Sequence, residues 1–184
     1  LVREAGFPEN VFRTLLVGSS LVEGIIRNPA VKAVSLTGST PAGRSVAAIA
    51  GSELKKCVLE LGGSDPYLIL KDAALEQSAI VCATSRLLNT GQSCIAAKRF
   101  IVVDEVYTHF LEHFTDKMNE ARFGDPCDPE ISMGPLARTD LRDELHQQVL
   151  DSVEKGAEIV LGGEIPNLKG SFYPPTILEN VKPG

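Results

Sequence analysis

Three places in this 184-residue chain combine residue types that could do chemistry. Cys94 closes the run Asn89-Thr90-Gly91-Gln92-Ser93-Cys94. A helical pattern ends near Asn89, Gly91 bends the chain, and the thiol is left on a loop. A free thiol is only roughly 3% ionised at pH 7, so a nucleophile here needs local N–H donors; an inert packed cysteine is the alternative. Glu60 lies in Val58-Leu59-Glu60-Leu61-Gly62-Gly63. A carboxylate in an apolar strand end, beside two glycines, is hard to read as a solvated charge. Desolvation there would make it a competent base near neutral pH; a buried ion pair with Lys55 or Lys56 stays open. The third place is Gly38-Ser39-Thr40-Pro41-Ala42-Gly43, between a strand and a helix. Glycine lets a ligand approach the backbone, and a helix N-terminus offers unpaired N–H groups and a positive dipole end, so a pyrophosphate would fit. The spacing is not G-x-G-x-x-G, and a capped turn without a ligand is the other reading.

The remaining reactive groups point elsewhere. Cys57 and Cys82 lie in apolar periodic segments and read as core, while Cys127 lies in a Pro/Asp loop and reads as surface. No CxxC occurs, which argues against a zinc site and a disulfide scaffold, so no metal is expected and a reducing, cytoplasmic compartment fits. His109, His113 and His146 fall on polar helix faces without an HExxH context and read as solvated. There is no G-x-S-x-G elbow. A net charge of −6 with scattered Lys and Arg argues against a nucleic-acid binder, which normally needs a positive footprint. No stretch approaches the roughly 20 apolar residues of a membrane span.

The elements that must position these residues alternate in type. Strands are expected over 11–17, 31–36 and 55–61, with helices over 19–27 and 42–50, the second capped by Ser39 or Thr40 and stopped by Gly51. A short helix is expected at 1–5. This alternation implies an α/β fold with a parallel sheet. The turn at Leu61-Gly62-Gly63-Ser64-Asp65-Pro66 marks a hinge, so 1–62 and 63–184 are expected to be separate domains. Beyond it come a strand at 67–70, a helix at 75–88, a buried strand at 99–103 and a helix at 107–121 with Phe110, Phe114 and Met118 at helical spacing. A loop over 124–135, a helix over 139–155, a strand over 158–161 and an extended 172–178 complete the pattern. The chain opens at Leu1 inside a helical pattern and closes on Lys182-Pro183-Gly184, so both ends read as cut.

Taken in order, these motifs resemble the aldehyde dehydrogenase superfamily. The carriers are Leu36-Thr37-Gly38-Ser39-Thr40 with Gly43-Arg44, Leu59-Glu60-Leu61-Gly62-Gly63, and Asn89-Thr90-Gly91-Gln92-Ser93-Cys94, with Glu60 and Cys94 34 positions apart. Gly134-Pro135 and Phe172-Tyr173-Pro174-Pro175-Thr176 match as well. Lys55-Lys56-Cys57-Val58, Ala97-Lys98-Arg99-Phe100 and Leu141-Arg142-Asp143-Glu144-Leu145-His146 are similar to the family's bacterial succinate-semialdehyde branch.

The resemblance implies a role for each matched residue. Cys94 would attack an aldehyde, with its own N–H helping to hold the oxyanion. Glu60 would activate water against the resulting thioester. Gly38 and Ser39 would meet the pyrophosphate of NAD or NADP, and Leu61 would lie near the nicotinamide. It also implies the C-terminal part of a cofactor-binding domain in 1–62 and the N-terminal part of a catalytic domain in 63–184. The family's oxyanion asparagine and ribose contacts belong to segments outside this sequence, which corresponds to about two-fifths of a typical member. An inactive, self-associating fragment of a homo-oligomeric enzyme is therefore expected. Many succinate-semialdehyde enzymes carry Arg six positions before the nucleophile; Leu88 stands there, and Arg86 is expected on a different helix face. A non-catalytic α/β fragment and a cysteine-dependent acyl transferase or thioesterase remain the competing readings.

Overall fold

The computed structural model describes residues 1–182. It divides into two compact units, Leu1–Gly62 and Gly63–Gly184. In the first, β1 (Ala33–Gly38) and β2 (Lys56–Leu61) pair in parallel, in the register Ala33↔Lys56 through Gly38↔Leu61. The connection between them is α2 (Thr40–Ser52), preceded by α1 (Val22–Arg27). Alternation along the strands turns Val34, Leu36 and Cys57 toward the helices, where they pack on Ile26, Val46 and Ala50. The opposite face carries Ser35, Thr37, Lys56, Val58 and Glu60 and is exposed. The chain leaves α1 at Asn28, whose extended backbone precedes Pro29, as expected for a residue before proline.

Several expectations for this unit are corrected. Residues 11–17 form no strand, because no neighbouring strand pairs with them among the described residues; Phe12 and Leu16 are exposed. Residues 1–5 make one turn, closed by the Ala5 N–H on Leu1 O at 2.8 Å, and are exposed. Gly51 does not stop α2, which runs to Ser52; the reversal falls at Leu54, with φ of 53°.

In the second unit, β3 (Pro66–Ile69) and β4 (Arg99–Val102) are parallel, connected through α3 (Leu75–Leu87). The helix α4 (Tyr107–Asn119) buries Phe110, Phe114 and Met118 at the expected i, i+4, i+8 spacing. They meet Ala79, Cys82 and Ala83 of α3 and Ile69 of β3. Phe114 is the hub, with ring centroids 4.7 Å from Phe100 and 5.6 Å from Phe110. Each such side chain contributes about 1.5–3 kcal/mol by burial. β4 is half-exposed rather than buried, since Arg99 and Ile101 face away from this core. After a loop come α5 (Thr139–Glu154) and the antiparallel pair β5 (Glu158–Leu161) and β6 (Ile177–Glu179). The chain is thus α/β, with both parallel pairs joined across a helix.

Candidate active site

The first unit gathers Gly38, Ser39, Glu60 and Leu61. Parallel pairing sets Thr37 opposite Glu60 and Gly38 opposite Leu61, at the C-terminal ends of both strands, where the chain turns into α2. Ser39 caps that helix: its Oγ accepts the Ala42 N–H at 3.4 Å and its carbonyl accepts the Gly43 N–H at 2.9 Å. The Thr40 N–H meets no acceptor among the described residues, which leaves it free at the positive end of a 13-residue helix.

The two glycines of this turn differ. A Cβ on Gly43 would lie 2.7 Å from Leu61 Cδ2, so glycine there permits helix and strand to close on each other. A Cβ on Gly38 would meet nothing nearer than the Leu36 side chain at 3.7 Å, and Gly38 is not in the left-handed region. Nothing in the surrounding fold demands glycine at 38, whereas close approach of a ligand to the backbone would. The exposed Gly38-Ser39-Thr40 turn, with a free N–H and an open glycine, fits a dinucleotide pyrophosphate.

Glu60 corrects the sequence reading. It stands on the exposed face of β2 with Lys56 and Val58, because strand alternation turns Cys57, Leu59 and Leu61 toward the helices. The burial on which its desolvation rested is absent. Neither expected lysine pairs with it: Lys55 Nζ donates to the carbonyls of Ile26 and Asn28, and no ion pair to Glu60 occurs among the described residues.

Cys94 belongs to the second unit and is exposed, on a loop, as expected. The approach to it is unusual. Asn89 (φ 50°, ψ 45°), Thr90 (φ 57°, ψ 31°) and Gly91 (φ 73°) follow one another in the left-handed region. Side chains fasten this loop on every side. Thr90 Oγ1 donates to Gly134 O at 3.4 Å, Gln92 Oε1 accepts the Ala137 N–H at 2.9 Å, and Arg86 Nη2 donates to Gly91 O. Lys98 Nζ donates to the carbonyls of Cys94 and Ala96, both at 3.2 Å. The Cys94 N–H itself meets no acceptor among the described residues, leaving a spare donor beside the thiol. Gly63 runs close by, where a Cβ would lie 3.7 Å from Cys94 O.

The other cysteines are free as well. Burial pushes the Cys82 thiol up to about 11, which keeps it protonated and inert at neutral pH. His146 is half-buried and shares a 3.0 Å hydrogen bond with the Tyr173 hydroxyl, which corrects its reading as solvated. A cavity of about 510 Å³ lies within the second unit, lined by Arg86, Gly91, Phe114, Met118 and Tyr173 among others; Cys94 does not line it. Among the described residues, no His, Cys, Asp and Glu side chains cluster as a metal site, and no helix is long and apolar enough to cross a membrane.

The sequence matches the Aldehyde dehydrogenase family over residues 1–184. The chain belongs to that family. Its relatives include the "Succinate-semialdehyde dehydrogenase [NADP(+)]" of Mycobacterium avium, 50% identical over 181 residues. That match covers 98% of this chain and 38% of the relative. The "Succinate-semialdehyde dehydrogenase [NADP(+)] 1" of Mycobacterium tuberculosis is 48% identical, over 98% of this chain and 40% of its own length. Among solved structures, lactaldehyde dehydrogenase from Escherichia coli superposes with a TM-score of 0.94 at 37% identity, covering 98% of this chain and 38% of that one. Succinic semialdehyde dehydrogenase from Streptococcus pyogenes, in complex with NADP+, gives 0.91 at 41% identity over 96% of this chain and 39% of that one. The fold is therefore that of an aldehyde dehydrogenase, and the chain spans about two-fifths of the relatives it matches.

The side chains that sequence reading passed over are those holding the Cys94 loop. Gln92, Lys98 and Arg86 act through backbone carbonyls and N–H groups, and a partner of that kind leaves no residue-type signature. Arg86 carried the one available signal, a cation near the end of a largely apolar helix.

Proposed function

We propose that a protein carrying this chain at the relatives' full length is an NAD- or NADP-dependent aldehyde dehydrogenase, with Cys94 as nucleophile and Glu60 as general base. The observation that carries this reading is the Cys94 loop: an exposed thiol with a free N–H beside it, reached through three left-handed residues, in a chain of this family. Residues held in sparsely populated backbone regions cluster at functional sites. A bound nicotinamide would accept the hydride that the oxidation releases.

The chain's own residues do the rest. The Cys94 thiolate adds to the aldehyde carbon, and the Cys94 N–H donates to the oxygen as it becomes anionic. The product of oxidation is an acyl thioester on Cys94. Glu60 takes a proton from water, the hydroxide adds to the thioester carbon, and the carboxylic acid leaves as the thiol is restored. Gly38, Ser39 and the free Thr40 N–H receive the pyrophosphate, and Leu61 lies near the nicotinamide. Residues 1–62 serve as the C-terminal part of the cofactor domain and 63–184 as the N-terminal part of the catalytic domain.

The substrate we favour is succinate semialdehyde, on the relatives' names. Leu88, 52% exposed, offers no cation for its carboxylate, so another cation binds it or uncharged aldehydes are accepted comparably. Turnover of succinate semialdehyde against an uncharged aldehyde of similar length decides between these. The compartment is cytoplasmic in this reading, consistent with four free cysteines.

The 184-residue chain alone is proposed to be inactive and to self-associate. One oxyanion donor is at hand where the family uses two, and losing one such donor costs ~100- to 1,000-fold. Exposed apolar side chains, among them Leu16 and Val58 in the first unit and Leu68 and Ile101 in the second, favour association. Purified chain incubated with NAD or NADP and a series of aldehydes, then run on a sizing column, tests both. Full turnover from a clean monomer overturns this part of the proposal.

A further inference from the structure

The turn before Cys94 carries a backbone cost. Asparagine and glycine tolerate the left-handed region, but Thr90 is β-branched and does not do so readily. Such a run persists only where its surroundings over-determine it. Of the other bonds that hold it, the Thr90 hydroxyl to Gly134 O is long at 3.4 Å, the Gln92 amide to Asn89 O at 3.3 Å and the Ala137 N–H to Gln92 Oε1 at 2.9 Å are exposed, and the Gln92 N–H to Asn89 O at 3.1 Å is a bond within the turn itself. The bond from Arg86 Nη2 to Gly91 O is charge-assisted and part-buried.

Arg86 stands in the last turn of α3, five residues before Gly91. No carboxylate pairs with it among the described residues. Burial pushes its guanidinium below the ordinary arginine value. A partly buried cation without an anion is costly, so something must offset the cost of keeping it there. Gly91 also leaves room for it, since a Cβ there would clash with Arg86 Nη2. Glycine at 91 thus meets two demands, a φ of 73° and room for the guanidinium.

We infer that Arg86 is a positioning residue, which holds the Asn89-Thr90-Gly91 turn through the Gly91 carbonyl and so fixes where Cys94 is presented. This rests on the assignment of Cys94 as nucleophile. Among the described residues, the arginine side chain makes no hydrogen bond to the thiol; its one hydrogen bond is to the Gly91 carbonyl, and it acts along the backbone from there to Cys94. Lys98 secures the far side of the same loop through the Cys94 and Ala96 carbonyls, so the nucleophile is strung between two backbone-bound cations. Small misplacement of a reacting atom costs on the order of a hundredfold in rate. The rate should therefore depend on Arg86 while aldehyde binding does not.

The test uses the full-length protein with Arg86→Met, Arg86→Lys, Gly91→Ala and the double variant Arg86→Met/Gly91→Ala. Arg86→Met should lower kcat about 10- to 100-fold and leave the aldehyde KM within about threefold. Arg86→Lys, which keeps a charged donor, should recover to within about threefold of the parent. Hydrogen exchange should quicken in Arg86→Met at the Gln92 and Ala96 amides, with α4 unchanged. Gly91→Ala displaces the guanidinium but also strains the backbone at a φ of 73°, so it is read only through its coupling to Arg86→Met; should Arg86→Met fail to fold, Arg86→Gln carries the test. Combined with Arg86→Met, Gly91→Ala should cost no more than about threefold beyond the worse single variant.

Parent-like kcat in Arg86→Met, equal damage in Arg86→Lys, or faster exchange across α3 and α4 alike would each overturn the inference. Cys94→Ala is run beside them. Turnover surviving in that variant sinks the nucleophile assignment itself, whereas an inactive Cys94→Ala with a normal Arg86→Met sinks the positioning role alone.

Discussion

Gly43 of α2 and Leu61 of β2 are in contact so close that a Cβ at position 43 would lie 2.7 Å from one Leu61 methyl and 2.8 Å from the other. The helix therefore rests directly on the strand end that also bears Glu60. Gly43→Ala should destabilise the first unit by about 1 kcal/mol, the low end for overpacking, because the atoms in the way end a movable side chain. Leu61→Ala removes those atoms, so the double variant should be less destabilised than the sum of the singles. Chemical denaturation of the four proteins measures this; strict additivity would mean that the contact is relieved elsewhere.

Gly38 gives the opposite expectation. Its missing Cβ faces only the Leu36 side chain at 3.7 Å. Gly38→Ala should change stability by less than about 0.5 kcal/mol, yet weaken NAD(P) binding by about tenfold in the full-length protein by blocking the approach of the pyrophosphate. Titration calorimetry and thermal melts on the same samples separate the two effects. Unchanged cofactor affinity would leave the Gly38-Ser39 turn as a helix cap and nothing more.

Stability at high pH should follow Cys82. Its folded thiol is pushed from the ordinary 9.0 up to about 11, because the neutral form is favoured in the core. The contribution is complete below pH 9, shrinks as pH rises above 9, and is lost by about pH 11. Tyr107, pushed up to about 12 by burial and its hydrogen bond to Glu179, adds a like decline starting near pH 10. Denaturation midpoints between pH 8 and 11 should therefore fall, and fall less steeply in Cys82→Ala. The same slope in both proteins would exclude Cys82 as a source.

How far the sequence discloses this molecule depends on the kind of interaction. The α4 core was legible, since Phe110, Phe114 and Met118 repeat at helical spacing and one face is buried. The Cys94 loop was legible too, because Gly91 and the end of the helical pattern mark a turn. The burial of Glu60 was misread: its neighbours Leu59 and Leu61 are apolar, but alternation turns them to the other face. The expected strand over 11–17 failed for a similar reason, because a β-prone composition says nothing of whether a partner strand lies alongside. The contact of Arg86 was not legible, because its long side chain meets a backbone carbonyl, that of Gly91, and such a partner has no residue-type signature.

Thiol chemistry separates the four cysteines. Cys94 and Cys127 are exposed, Cys57 is half-buried and Cys82 is buried. An alkylating reagent at neutral pH should modify Cys94 and Cys127 first, and loss of aldehyde oxidation in the full-length protein should track Cys94 alone. Cys57→Ala, Cys82→Ala and Cys127→Ala should stay active. Activity lost in step with another cysteine would reassign the nucleophile.

The most direct measurement traps the acyl intermediate. Glu60→Gln keeps the side-chain shape but accepts no proton, and removing a positioned base costs ~100- to 10,000-fold. Mixed with NAD(P) and an aldehyde, the full-length variant should oxidise one equivalent and stop. Intact mass should then show one added acyl group, and peptide mapping should find it on Cys94. Unimpaired steady-state turnover in Glu60→Gln, or an acyl group on any residue other than Cys94, would contradict the account.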